Sequence, residues 1–315
     1  MAGHKLKTAI QTLGHTQALK NGSVRPKTFE LDFEDVSPIT QAFRRMVRGL
    51  EFDIAEMALT TYLCAKSHGK RFTALPIFLV RAFHHGAILY NTQSSINRPK
   101  DLEGKRVGVN RGYTVTTGVW ARGILQHECG VDLSKITWVL SGDEHVQEFQ
   151  RTSNIISMEK GDTLEAMLAR GELAATIGIT STNPLLVPLI PNAVETGFQA
   201  LVKRGHYPIN HTLVVRDDLL EADPNVAVDI FNAFVKAKQI YIEQLRNGQV
   251  ANPGKADLTY QRVMDITKAD PLPYGIGRNH EMIACLAQYA HEQGIISHPF
   301  EVEELFASAS RKLAG

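Results

Sequence analysis

The sequence has few cysteines and no cysteine motif. Cys64, Cys129 and Cys285 are the only three among 315 residues, and neither a CxxC pair nor a metal-finger spacing occurs. An odd number of cysteines at such wide separations argues against a disulfide framework. We therefore expect free thiols and a reducing compartment.

Long apolar runs are also missing. The first residues, MAGHKLKTAIQTLGHTQALK, alternate polar and apolar side chains. They lack the apolar core of about 7 to 15 residues that a secretory signal needs. No other stretch approaches the roughly 18 to 20 apolar residues that cross a bilayer. These absences predict a cytoplasmic protein without a membrane partner.

An excess of one charge is absent as well. Lysine and arginine number 34 against 33 aspartates and glutamates, which leaves a net charge of +1 and no long run of either sign. Nucleic acid is therefore not an expected partner. A chain of this length exceeds most single hydrophobic cores, so two domains are expected.

The pattern of apolar residues predicts an α/β protein. Alternation indicates strands over 6–13, 28–33 and 52–55, with helices beginning near Pro38 and Leu59. A polar linker over 91–104 precedes a second series of strands and helices, in the βαβ order, as far as about residue 179. A long amphipathic helix is predicted over 222–249.

Charged groups in the first half stand at unusual places. Glu56 is predicted to follow a strand directly, where it either interacts with the next helix or serves a ligand or proton transfer. Arg81 lies in the apolar run FLVRAFHHGAILYN, and its charge needs an anionic partner, either Glu56 or a substrate carboxylate. His84 and His85 follow; in an extended chain they point to opposite faces, so one of them is expected to be structural.

A second group of polar residues follows predicted strands further along the chain. NRGYTVTTGV contains Arg111, Tyr113, Thr114 and Thr116 ahead of a helix, which predicts an anion site with Thr114 as the helix cap, although the threonines alone would also fit a simple cap. SGDEHVQEF supplies Asp143, Glu144 and His145, either as a polar site or as a solvated turn. Further polar candidates are Ser181, Asn210 and His211.

Several longer phrases carry a resemblance to a known family. RRMVRGLEFDIAEMALTTYL, LPIFLVRAFHHGAILYN, DLEGKRVGVNRGYTVTTGVWARGIL and TWVLSGDEHVQEF resemble the 4,5-dihydroxyphthalate decarboxylases, over roughly 6–306. The resemblance implies a type II periplasmic-binding-protein-like fold with two lobes, each a mixed sheet flanked by helices, and a ligand cleft between them. Lobe I would comprise residues 1–95 and 207–315, and lobe II residues 96–206.

The implied activity is a lyase reaction of phthalate degradation. It is the non-oxidative decarboxylation of 4,5-dihydroxyphthalate to 3,4-dihydroxybenzoate, by a cytoplasmic homo-oligomer acting on a small aromatic dicarboxylate. We assign Arg81 and Arg111 as carboxylate clamps, His85 or His211 as the acid, and Glu56 as its orienter or as the phenol acceptor. Further substrate contacts are expected from Tyr113, Thr114, Thr116, Asp143, His145, Ser181 and Asn210.

Other readings of the same pattern stay open. A solute-binding protein of this fold would hold a small anion without altering it, and a pyrimidine-precursor synthase or a ligand-sensing module would use the fold differently. No cofactor is expected, although the histidines and acidic residues leave a divalent metal open, since they show no diagnostic spacing.

Overall fold

The computed structural model describes residues 4–315 and contains eleven strands. Most are short and several are fully buried, as expected for α/β layers. In chain order they are β1 (Lys5–Ala9), β2 (Glu30–Phe33), β3 (Ile54–Ala58), β4 (Phe72–Arg81), β5 (Ile88–Asn91), β6 (Arg106–Val109), β7 (Thr137–Leu140), β8 (Ile155–Ser157), β9 (Ala175–Ile177), β10 (Leu186–Pro188) and β11 (Ile209–Arg216).

Ten α-helices accompany the strands over the described residues. They are α1 (Gln17–Lys20), α2 (Thr40–Gly49), α3 (Leu59–Ser67), α4 (Thr116–Gly123), α5 (Leu164–Ala169), α6 (Ala193–Arg204), α7 (Asp217–Ala222), α8 (Asn225–Arg246), α9 (Lys255–Thr267) and α10 (His280–Glu292). Helix α4 continues as a π-helical turn over Ile124–Glu128. None of the helices between residues 4 and 315 is both long and apolar enough to span a bilayer.

The chain forms two compact units that are each built from separate segments. The first comprises the described residues as far as Arg81, together with Ile209–Ala284 and Phe300–Gly315. The second comprises Ala82–Pro208 and Cys285–Pro299. The boundaries predicted from the sequence lie at residues 95 and 207. In the structure β5 pairs with β9 and β10 of the second sheet, so residues 82–95 lie with the second unit.

The first unit contains a five-stranded mixed sheet in the order β2-β1-β3-β11-β4. Strands β1, β2 and β3 are parallel, and β11 runs antiparallel to both β3 and β4. A buried apolar cluster packs α8 against this sheet, with Ile230 and Phe234 from the helix and Leu75 and Leu213 from the strands. The carboxyl ends of β1, β3 and β4 therefore meet the amino end of β11 at one edge of the sheet.

Local sequence explains how the elements of this unit end. Helix α2 buries Ala42 and Met46 on one face and stops where Leu50 adopts a left-handed conformation with φ 49°. Strand β3 begins at Ile54 rather than at Phe52, and every one of its residues is buried. The strand predicted over 6–13 ends at Ala9, which leaves the following residues free to form a loop.

The second unit contains a six-stranded mixed sheet in the order β10-β5-β9-β6-β7-β8. Strands β9, β6, β7 and β8 are parallel, whereas β5 runs antiparallel to β9 and β10. A buried arginine, Arg122, completes its core. The Arg122 guanidinium lies 3.7 Å from the centre of the Tyr113 ring and donates to Gln293 Oε1 at 2.7 Å.

Candidate active site

A buried glutamate and a histidine form an ion pair at the edge of the first sheet where β1, β3 and β4 end and β11 begins. His211 Nδ1 lies 2.6 Å from Glu56 Oε1. The two residues are diagonal neighbours on β3 and β11, because Leu213 is the direct partner of Glu56 and Ala58 that of His211. Glu56 was predicted to follow its strand, but it lies inside β3. The Phe43 ring meets the imidazole edge-on at 5.1 Å and fixes its orientation.

A glutamine that the sequence analysis missed holds the other side of this carboxylate. The backbone N–H of Gln11 donates to Glu56 Oε2 at 2.9 Å, and its side-chain amide donates to Oε1 at 2.6 Å. Burial by itself raises the pKa of Glu56, but the bonds from His211 and Gln11 outweigh burial and hold that pKa below its usual value. Glu56 is therefore an ionised carboxylate that no solvent reaches.

Arg81 ends β4 at the same edge and is only 6% exposed. Its Nη2 atom donates to Oδ1 of Asn279. The Asn279 amide in turn donates to the carbonyls of Pro273 and Gly275, at 3.0 and 2.6 Å, which orients its oxygen towards the guanidinium. Asn279 is thus a second residue without a sequence signal, almost 200 positions from the arginine that it holds.

In the second unit, His85 belongs to a different ion-pair cluster. It was predicted in an extended segment, but it begins a short 3-10 turn, His85–Ala87, and both His84 and His85 are buried. His85 Nε2 lies 3.1 Å from Glu128 Oε2, and Arg204 donates to the other oxygen at 2.7 Å. His85 is therefore paired with a carboxylate of its own unit, whereas His211 is paired with Glu56.

The predicted anion loop is built around a carboxylate of this chain. Glu144 accepts hydrogen bonds from the backbone of Tyr113 at 2.6 Å and of Thr114 at 3.1 Å, and from the Thr114 hydroxyl at 2.8 Å. The prediction that Thr114 caps α4 is wrong, since Val115 is the cap residue and no side chain caps it. A Cβ on Gly112 would lie 2.4 Å from Glu144 Oε2, so any side chain there would displace this carboxylate.

Arg111 precedes this loop in a strained backbone conformation. Its φ is 69°, the left-handed region that side chains rarely adopt. The Ser141 hydroxyl accepts from its backbone N–H at 2.8 Å. Its buried Nε makes no hydrogen bond with any residue in 4–315, and burial lowers the pKa of its guanidinium, which stays protonated all the same. Strain held at a polar loop is typical of a ligand site.

The remaining predicted residues are spread over both units. Asn210 lies on β11 beside His211 and is buried. Thr116 is the first residue of α4, His145 is buried, and Asp143 is exposed. The Ser181 hydroxyl donates to Glu165 at 2.5 Å. Between residues 4 and 315, no three His, Cys, Asp or Glu side chains stand together in a way that would hold a metal ion.

Two curated proteins with the same name are similar in sequence, one over nearly the whole chain and the other over about half of it. The 4,5-dihydroxyphthalate decarboxylase of Comamonas testosteroni is 27% identical over 329 aligned positions, covering 98% of each chain. That of Pseudomonas putida is 33% identical over 163 positions, covering 47% of this chain and 63% of the relative. This chain is similar to 4,5-dihydroxyphthalate decarboxylases. The resemblance stated from the sequence phrases is confirmed, although no family model matches.

Solved structures confirm the fold class. The alkanesulfonate-binding protein SsuA from Xanthomonas axonopodis pv. citri superposes with a TM-score of 0.52 at 12% identity, covering 97% of this chain and 98% of that one. The desulfurization enzyme DSZB superposes with a TM-score of 0.51 at 13% identity, covering 96% of each. The periplasmic-binding-protein-like fold is therefore that of the chain, and it serves both a binding protein and an enzyme.

Proposed function

We propose that the protein is a carboxy-lyase that converts 4,5-dihydroxyphthalate to 3,4-dihydroxybenzoate and CO2. The observation that carries this proposal is the Glu56–His211 pair, a buried carboxylate bonded to a partly accessible imidazole, at the sheet edge where Arg81 also ends its strand. The name shared by the two curated relatives supports the choice of substrate. The fold alone does not, since fold and activity are separable.

The reaction requires a proton on the ring carbon that bears the departing carboxylate. Each carboxylate of 4,5-dihydroxyphthalate is para to a hydroxyl, so electron density from that phenol oxygen reaches this carbon. Protonation there, with loss of the proton of the para hydroxyl, gives a cyclohexadienone. The bond to the carboxylate then breaks, its electron pair restores the aromatic ring, CO2 leaves, and the phenol oxygen regains its proton. One proton is taken up for each CO2 released.

His211 is suited to deliver that proton. With Nδ1–H donating to Glu56, Nε2 is the nitrogen left for proton transfer, and the ionised Glu56 stabilises the imidazolium form. The His211 side chain is 17% exposed whereas Glu56 is fully buried, so the imidazole is the more accessible member of the pair. Acid catalysis of this kind contributes about 10² to 10⁴-fold.

The two arginines are assigned to carboxylate binding. Arg81 has a planar guanidinium whose position is fixed by Asn279, and such a fork binds a carboxylate through two parallel hydrogen bonds. Arg111 on the second unit carries a guanidinium nitrogen without a hydrogen-bond partner among residues 4–315. We propose that Arg81 binds a carboxylate of the substrate and that Arg111 is an anion-binding residue of its own unit; electrostatic stabilisation of this kind adds to acid catalysis.

The experiment is to incubate the purified protein with 4,5-dihydroxyphthalate and follow CO2 release together with the ultraviolet spectrum of 3,4-dihydroxybenzoate. Phthalate, which lacks the hydroxyls, is the matched control and should release no CO2. We expect stoichiometric release from the dihydroxy acid. Tight binding of 4,5-dihydroxyphthalate without CO2 release would instead favour a solute-binding protein, the alternative that the SsuA likeness keeps in view.

Three further expectations belong to this proposal. We propose that turnover needs no cofactor, that the protein assembles as a homo-oligomer, and that it acts in the cytoplasm.

Turnover after dialysis against EDTA tests whether a cofactor is needed, since loss of activity restored by one divalent metal would contradict the first expectation. Light scattering of the eluted protein tests the second, and fractionation of the source cells tests the third.

A further inference from the structure

His15 is a buried histidine of the first unit that the sequence analysis did not single out. It is 1% exposed; one ring nitrogen faces the Leu79 backbone, and the other makes no hydrogen bond with any of residues 4–315. Its ring centre lies 6.0 Å from that of Tyr241 and 6.5 Å from that of Tyr260. A neutral imidazole carries one donor and one acceptor, and each polar atom left unsatisfied in an interior costs about 1 to 3 kcal/mol.

The loop that carries His15 is the one that binds Glu56. It follows β1 and includes Gln11, whose backbone and side-chain N–H groups hold the Glu56 carboxylate. The Thr16 hydroxyl donates to the Gln11 carbonyl at 2.8 Å and accepts from Leu13 N–H at 2.8 Å. Gly14 packs directly on Tyr241, since a Cβ there would lie 2.1 Å from that ring. These contacts fix His15 relative to Gln11.

The electrostatic surroundings of His15 are those of the proposed active site. Burial lowers the pKa of His15 to about 4, and the charge of Lys238 lowers it further. The charges of Glu56 and Asp270 and the Leu79 backbone act in the opposite direction. The imidazole is therefore neutral at pH 7. The hydroxyl of Tyr274 is also buried without a hydrogen bond within 4–315, and Glu56, Asp270 and Arg81 all act on its pKa. Two unsatisfied polar groups thus share the neighbourhood of Glu56.

We propose that His15 is a further substrate-binding residue of this site, which accepts a hydrogen bond from a phenolic hydroxyl of the aromatic acid. The division of labour follows from charge, because the cationic Arg81 suits a carboxylate whereas an uncharged imidazole suits a neutral phenol. A phenol that donates to His15 becomes richer in electron density at the para carbon, where the proton must arrive. This inference rests on the proposed function and adds the group that recognises the hydroxyl.

Binding of two unreactive ligands tests the inference without turnover. We would measure the dissociation constants of 3,4-dihydroxybenzoate and of phthalate for the wild type, His15→Phe and His15→Gln, with His280→Gln as control, since His280 is half exposed. We expect His15→Phe to weaken 3,4-dihydroxybenzoate about 3- to 10-fold, the value of one hydrogen bond, and to leave phthalate within about twofold. His15→Gln keeps an acceptor and should recover part of the loss.

Several outcomes would overturn the proposal. Equal weakening of both ligands would make His15 a structural residue, and unchanged affinity for 3,4-dihydroxybenzoate would remove it from the site. If neither variant folds, the ¹⁵N chemical shifts of His15 in the labelled wild type decide: 3,4-dihydroxybenzoate must move them and phthalate must not. A wild type that releases no CO2 but binds 3,4-dihydroxybenzoate through His15 would contradict the proposed reaction and leave this inference standing.

Discussion

Nδ1 of His211 lies 2.6 Å from Oε1 of Glu56, a carboxylate with no exposed side-chain surface. Gln11 donates two hydrogen bonds to the same carboxylate, so its charge is satisfied entirely by protein groups. An ion that is paired in this way persists in the interior, whereas an unpaired one would neutralise. The pair therefore combines a fixed, buried negative charge with an imidazole that is partly exposed.

Removing the negative charge of Glu56 tests the pair. Glu56→Gln keeps the volume but no longer stabilises the His211 imidazolium, so we expect kcat to fall about 10² to 10⁴-fold with a small change in KM. Steady-state kinetics with 4,5-dihydroxyphthalate measure the effect, and His211→Asn should give a loss of similar size. The control His280→Asn should retain full activity, and a Glu56→Gln enzyme within threefold of wild type would exclude the pair from the chemistry.

A second prediction concerns the shape of the Arg81 side chain. Arg81→Lys keeps the positive charge but removes the planar fork, so we expect kcat/KM to fall about 10- to 100-fold, mainly through KM. The exposed Arg246 at the end of α8 provides the control, because Arg246→Lys changes the same side chain away from the site. Equal kinetics for the two variants would mean that Arg81 binds no substrate carboxylate.

The bond between Arg81 and Asn279 predicts energetic coupling between the two positions. Asn279→Ala removes the oxygen that orients the guanidinium, so we expect it to weaken kcat/KM in the wild type but to have little effect in the Arg81→Lys background. Thermal unfolding of each variant separates this from lost stability, since two backbone carbonyls also lose a donor. Fully additive effects on kcat/KM would show that Asn279 does not act through Arg81.

Stability should fall in acid through two buried histidines. Burial lowers the pKa of His206 to about 4; Arg204 and His85 also lower this pKa, whereas Glu128 raises it. Burial lowers the pKa of His15 to a similar value. Both rings stay neutral when folded but take up a proton near pH 6.5 when unfolded. The native state therefore keeps its full stability above pH 6.5 and loses it as the pH falls towards 4, with no further loss from these groups below that.

Replacing His206 measures how much of the loss of stability in acid comes from this histidine alone. His206 meets the Trp120 ring edge-on at 5.3 Å, and its Nε2 makes no hydrogen bond with residues 4–315, so phenylalanine is a suitable substitute. Urea unfolding at pH 7.5 and 4.5 should show that His206→Phe loses about 2 to 3 kcal/mol less than the wild type between the two pH values. The control His280→Gln should lose as much as the wild type does; an identical loss in His206→Phe would contradict the expectation.

The contact between Gly112 and the Glu144 carboxylate predicts that a larger residue at position 112 destabilises the protein. A methyl group on Gly112 would displace the carboxylate that accepts from Tyr113 and Thr114, so we expect Gly112→Ala to lower the free energy of unfolding by roughly 2 kcal/mol or more. Gly277→Ala is the control, because a Cβ there meets nothing within 4 Å. Chemical denaturation measures both, and equal stabilities would show that the loop adjusts at no cost.

Periodicity predicted the order of elements but not their ends. The alternating residues of 6–13 favour one long strand, yet β1 stops at Ala9 because the next residues leave the sheet to reach Glu56. Gln11 consequently fell inside a predicted strand rather than after it. A shorter strand would have brought Gln11 and His15 into view, since residues that follow parallel strands line the functional edge.

Long-range pairing explains what the sequence did not reveal about the site. Glu56 and His211 were both candidates, but nothing in either segment says that they meet, because that depends on the antiparallel register of β3 and β11. Asn279 carries no local signal at all. The loop at Arg111 was predicted to bind an anionic ligand; the carboxylate that its backbone N–H groups hold in the structure is Glu144, from another quoted motif 30 positions away.

The buried contact between Arg122 and Gln293 bears on how the protein is made. Gln293 also donates to the Val119 carbonyl at 3.0 Å, so a segment from late in the chain closes the core around α4. While the ribosome is still adding residues before position 293, Arg122 has a charge in that core without its amide partner. The second unit can thus complete its core only after nearly the whole polypeptide has emerged, because Cys285–Pro299 belongs to it.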